Sequence, residues 1–104
     1  MFEKPSKKIA DKWGRAYLLR QLAEECGELV HAALKLVRVY EGTTPVTEEE
    51  AMNRLAEELG DVQLQIDHVC EQFIEGELEL RMIRNKDYKA RREYRRLIGG
   101  DMNE

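Results

Sequence analysis

The chain has 104 residues, 37% of them charged and 42% hydrophobic, with two prolines: room for one domain and no composition for a long disordered tail. Its formal net charge of −4 conceals an asymmetry, because Arg81, Arg84, Lys86, Lys89, Arg91, Arg92, Arg95 and Arg96 face only Asp87 and Glu93 in the same stretch, while acids crowd the centre. No apolar run is long enough to span a membrane, the opening MFEKPSKKIADKW lacks the apolar centre of a signal peptide, and two cysteines without framework spacing suit a reducing, cytoplasmic setting.

In chain order, Ser6 to Trp13 predict a short leading helix. Leu18, Leu22, Leu29, Ala33 and Leu36 recur at helical spacing and predict a first long helix from Gly14 or Arg15 to Tyr40. The stretch EGTTPVT, Glu41 to Thr47, breaks it with a glycine, a proline and β-branched residues. Thr47 followed by Glu50 forms a capping box, which satisfies free backbone N–H groups and starts a second helix. Leu55, Leu59, Val62, Ile66, Val69 and Phe73 make its apolar stripe. Gly76 marks a break before a third, basic helix over roughly Glu77 to Leu97. The fold class is therefore all-α: an antiparallel helical hairpin plus a basic helix. So short a chain buries a modest core, and a bundle completed by oligomerisation, as a homodimer or homotetramer, is the expectation.

The two long helices share a motif. LAEECGEL, Leu22 to Leu29, returns as LAEELGDV, Leu55 to Val62, 33 residues later. At ~100° per residue, Glu25 and Glu28 fall about 60° and 120° to one side of Leu22, and Glu58 and Asp61 take the same offsets from Leu55. The short connector requires antiparallel neighbours, and in an antiparallel pair equal offsets put both acid pairs on one edge of the interface. The pairs are equidistant from the loop, so the four carboxylates converge at one level. Half-buried together they would repel one another until a cation arrives. Oxygen donors without thiolate or histidine select a hard ion, Mg²⁺ or Mn²⁺, which leaves open positions for phosphate.

Competing readings are weaker. A single acid-rich octet is commonly a solvated face; two matched copies are not expected on that basis. A di-iron bundle needs Glu-x-x-His on two helices; ELVH supplies Glu28 and His31, but QIDH has glutamine in place of the acid. His31 and His68 read as surface residues, Cys26 and Cys70 as core thiols. Trp13 could stack on a base, although tryptophan is more often a packing anchor. Gly27 and Gly60, unfavourable inside helices, suggest close approach of another helix. The basic helix could bind nucleic acid, but the acidic centre argues against that partner; near a metal site its cations could grip polyphosphate.

EECGE followed by ELGD resembles the EExxE…ExxD pattern of the MazG-like all-α nucleoside triphosphate pyrophosphohydrolases, over about Trp13 to Tyr88. The resemblance implies one MazG-like helical domain over 1–104 that hydrolyses a nucleoside or deoxynucleoside triphosphate to the monophosphate and pyrophosphate, with Mg²⁺ as cofactor, replaceable by Mn²⁺, and a role in nucleotide-pool housecleaning. It implies Glu25, Glu28, Glu58 and Asp61 as metal ligands, and Glu24 and Glu25 as catalytic, Glu24 positioning or deprotonating water. Arg81 and Asn85 fit the family's spacing of a basic residue and an asparagine four later, although lysine is usual where Arg81 stands. Lys86, Tyr88 and Trp13 complete the expected substrate contacts. A non-catalytic nucleic-acid- or metal-binding module is the alternative.

Overall fold

A computed structural model describes residues 5–73 and 76–99. Four helices follow one another: α1 (Pro5–Trp13), α2 (Arg15–Glu41), α3 (Glu48–Cys70) and α4 (Glu77–Leu97). No strand occurs among the described residues. No helix among them is long and apolar enough to cross a membrane. The chain divides into two compact units, Met1–Gln72 and Phe73–Glu104.

The first unit is an α2/α3 hairpin with α1 packed against both helices. Gly14 separates α1 from α2 at φ 83°, a left-handed conformation that favours glycine. At the other end of α2, Gly42 adopts φ 72° and donates to the Val39 carbonyl at 3.1 Å, while Thr43 N donates to the Arg38 carbonyl at 3.0 Å. These are the paired bonds of a Schellman ending. Thr47 caps α3: its hydroxyl accepts the Glu50 N–H at 3.2 Å, as the capping box predicts. Cross-hairpin partners confirm the antiparallel sense, since Glu28 meets Arg54 nearer the loop and Arg15 Nε donates to the Gln72 carbonyl at the far end.

The packing seam differs in detail from the predicted stripes. Along α2 the shielded residues include Leu18, Leu22, Glu25, Leu29, Ala32, Leu36 and Val39, with alternating four- and three-residue steps; along α3 they include Ala51, Leu55, Glu58, Val62, Ile66 and Val69. That is the 3.5-residue rhythm of helices packed side by side. Ala33 and Leu59, expected inside, are exposed. Glu25 and Glu58 therefore sit in the seam, Glu58 only 5% exposed, whereas Glu28 is exposed.

A second seam runs along α2 one residue further on. Leu19, Ala23, Cys26, Val30, Ala33, Val37 and Tyr40 repeat the rhythm and are all exposed. Cys26, expected as a core thiol, lies on this outer seam. His68 reverses the other way: read as a surface residue, it is 5% exposed on α3. At Gly27 and Gly60 a Cβ would meet nothing within 4 Å among the described residues, so no described helix of this chain approaches them closely.

The second unit carries α4, in which no residue is buried. Glu77 and Glu79 stand in its first turn and Arg95 and Arg96 in its last, each sign at the dipole end it stabilises.

Candidate metal centre

Glu25 from α2 and Glu58 and Asp61 from α3 bring one carboxylate oxygen each within 4.8 Å of one another. The reason is local. Glu58 and Asp61 are three residues apart and so share a helix edge, while Glu25 occupies the matching height on the partner helix. Glu25 and Asp61 are half-buried and Glu58 is buried.

The cluster is electrostatically strained. Partial burial raises the Glu25 pKa above its ordinary value, and the carboxylates of Asp61, Glu58, Glu28 and Glu24 push it further in the same direction. Oε2 of Glu58 is buried without a hydrogen-bond partner among the described residues. A buried carboxylate oxygen with no donor is costly until a proton, a donor or a cation meets it.

Glu28 is held elsewhere. Its Oε2 takes Arg54 Nη2 at 3.3 Å, and Arg54 Nε also meets Oε1 of Glu58 at 3.1 Å. The convergence predicted for four carboxylates thus joins three, with the fourth tied beside them by an arginine that sequence reasoning missed. Its signal lay in the spacing: Arg54 is four residues before Glu58, on the same edge. Glu24 is exposed beside Glu25, as its outward angle suggested.

The polar edge of α3 extends past the acids. Gln65 and His68 continue the three-and-four spacing from Asp61, and Gln65 Oε1 and His68 Nε2 are likewise buried without a hydrogen-bond partner among the described residues. The group able to hold a metal contains no histidine.

Of the expected substrate contacts, Trp13 ends α1 at 48% exposure, stacked on Tyr17 with centroids 5.0 Å apart and with Lys12 Nζ 5.2 Å from its ring centre. Arg81 pairs with Glu77 one turn back, and Asn85 Nδ2 donates to the Arg81 carbonyl at 2.9 Å. Lys86 and Tyr88 are exposed, Tyr88 with the Arg92 guanidinium 6.0 Å from its ring centre.

An antiparallel helical hairpin with carboxylates from both helices meeting between them defines an all-α domain with an acidic cluster that could hold a metal ion. The profile of the MazG nucleotide pyrophosphohydrolase domain matches residues 14–84, the stretch holding α2, the acidic cluster and α3, and the chain belongs to that family. No curated protein and no solved structure gives a significant match.

Proposed function

We propose that the protein is a Mg²⁺-dependent nucleoside triphosphate pyrophosphohydrolase, releasing pyrophosphate and the nucleoside monophosphate. One observation carries the reading beyond family membership: three carboxylate oxygens from two helices lie within 4.8 Å, one of the three residues being the buried Glu58 with its orphaned oxygen.

The donor set fits the ion. Glu25, Glu58 and Asp61 would hold it, with Glu28 one turn from Glu25 as a fourth carboxylate, and all donors are hard oxygens. When bound, a divalent cation neutralises phosphate oxygens and acidifies water for in-line attack on phosphorus. Glu24, exposed next to Glu25, is the residue in this reading that takes the proton from the attacking water. Arg81, Asn85 and Lys86 are its polyphosphate or sugar contacts, and Tyr88 and Trp13 its aromatic faces for the nucleoside. Manganese would substitute for magnesium, and clearance of unwanted nucleotides is the role that such chemistry serves.

The exposed second seam of α2 supports a homodimer or homotetramer. A row of leucine, valine, alanine and tyrosine at packing rhythm leaves apolar surface that a second copy would cover, completing a four-helix bundle. A screen for Mg²⁺-dependent pyrophosphate release across ribo- and deoxyribonucleoside triphosphates tests the function.

A second reading rests on α4, whose Arg81, Arg84, Lys86, Lys89 and Arg91 are all exposed: a nucleic-acid-binding module. It requires metal-independent binding to RNA or DNA that weakens steeply with salt. Absence of such binding at low ionic strength eliminates it.

A further inference from the structure

Arg54 stands where the acidic cluster needs a positive charge. Its guanidinium spans the hairpin, with Nε 3.1 Å from Glu58 Oε1 on its own helix and Nη2 3.3 Å from Glu28 Oε2 on α2. A planar fork with several fixed donors is suited to bridging two carboxylates. The arginine and Glu28 side chains are both 54% exposed, whereas that of Glu58 is 6% exposed. Surface pairing alone contributes little at such exposure. The buried partner changes the balance, because Glu58 would otherwise present two uncompensated oxygens to the interior.

The bridge divides the acids. Glu58 gives one oxygen to Arg54 and leaves the other unpartnered, and Glu28 is kept out of the group formed by Glu25, Glu58 and Asp61. A divalent ion that draws in all four carboxylates therefore competes with the guanidinium for the charge of Glu28 and Glu58. The geometry points to Arg54 as a tethered competitor for the metal: it neutralises Glu28 and Glu58 in the metal-free chain and yields them when the ion binds. It is a positioning residue. Freed at the rim of the site, its fork fits a phosphate oxygen pair as well as it fits carboxylates. The inference rests on the metal-site reading above, and its test separates the two.

Mn²⁺ is titrated calorimetrically, without nucleotide, into the wild-type chain and the Arg54→Gln, Arg54→Lys, Glu58→Gln and Arg54→Gln/Glu28→Gln variants, and thermal unfolding is recorded with chelator and with saturating Mn²⁺. Arg54→Gln should bind Mn²⁺ about tenfold more tightly than wild type, Arg54→Lys should fall between, and the double variant should lose the gain because the gain comes through Glu28. With chelator Arg54→Gln should melt below wild type, and saturating Mn²⁺ should abolish or reverse that order. A purely structural arginine would lower the melting temperature equally in both conditions. Mn²⁺ affinity unchanged or weakened in Arg54→Gln, alongside loss of binding in Glu58→Gln, overturns the role of Arg54 and leaves the metal site standing. No Mn²⁺ binding by the wild-type chain overturns both.

Discussion

Glu25 and Asp61 face each other across the hairpin, and Asp61 is the charged neighbour that contributes most to raising the Glu25 pKa. Two helices have brought like charges together in a partly dry seam, and that arrangement makes the site testable in solution.

The first consequence is pH dependence of the metal-free chain. Glu25 has an ordinary value of 4.5 and a higher one when folded, so the folded chain holds this proton more tightly than the unfolded chain. Its contribution to stability is therefore greatest below 4.5 and is lost as pH rises through the folded value. Glu25→Gln removes that loss. With chelator present, the melting temperature of Glu25→Gln relative to wild type should rise with pH across this window and then level off; a difference independent of pH contradicts the raised carboxyl.

Replacing Glu58 or Asp61 by the corresponding amide should lower Mg²⁺-dependent turnover by about two orders of magnitude or more, since even groups that only support a ligand cost 10- to 100-fold. Circular dichroism should show the helices retained. Turnover close to wild type in both variants at limiting Mg²⁺ would remove these residues from the site.

The hairpin loop offers a stability test independent of the chemistry. Thr47→Ala deletes the hydroxyl that accepts the Glu50 N–H and should cost about 1 kcal/mol. Gly42→Ala places a Cβ on a backbone at φ 72° and should cost about 1 kcal/mol as well. In a domain this small, each corresponds to a fall of about 4–8 °C in melting temperature. Neither should alter the Mn²⁺ affinity of the folded protein.

Sedimentation tests the second seam. The wild-type chain should run as a dimer or tetramer at micromolar concentration, and Val30→Glu, with charge placed mid-seam, should shift it to smaller species. A monomeric wild type excludes this assembly.

Arg81→Ala and Asn85→Ala should weaken binding of a non-hydrolysable triphosphate without changing Mn²⁺ binding. Loss of an arginine–phosphate contact in a partly desolvated site costs on the order of 2 kcal/mol, roughly a thirtyfold loss of affinity. Unchanged nucleotide affinity in both would place the triphosphate elsewhere.

Much of this was legible in the chain itself. Thr47, Gly42 and Gly76 punctuate the helices through local backbone chemistry, which a sequence expresses directly. The repeated octets placed Glu25, Glu58 and Asp61 together because spacing fixes angle and height on a helix. Burial was harder. Ala32 and Ala51 occupy the seam with little apolar signature, so a face centred on leucines selected Ala33 and Leu59 instead. His68 is hidden for a similar reason: a polar residue on a packed edge looks, in one dimension, like one on a wet edge. The four-residue spacing of Arg54 and Glu58 was visible in the chain, but the bridge to Glu28 was not, because a long flexible side chain chooses between neighbours only once both helices are in place.

The proposed role of the carboxylates meeting between α2 and α3 is metal-dependent cleavage of a triphosphate. The most direct measurement is pyrophosphate release from a panel of ribo- and deoxyribonucleoside triphosphates, with Mg²⁺ or chelator, by wild type and Glu58→Gln. Wild type with Mg²⁺ should release pyrophosphate and monophosphate from at least one triphosphate, with none released in chelator or by Glu58→Gln. Release that persists in Glu58→Gln or in chelator, or no release from any triphosphate by a folded, Mn²⁺-binding wild type, would contradict it.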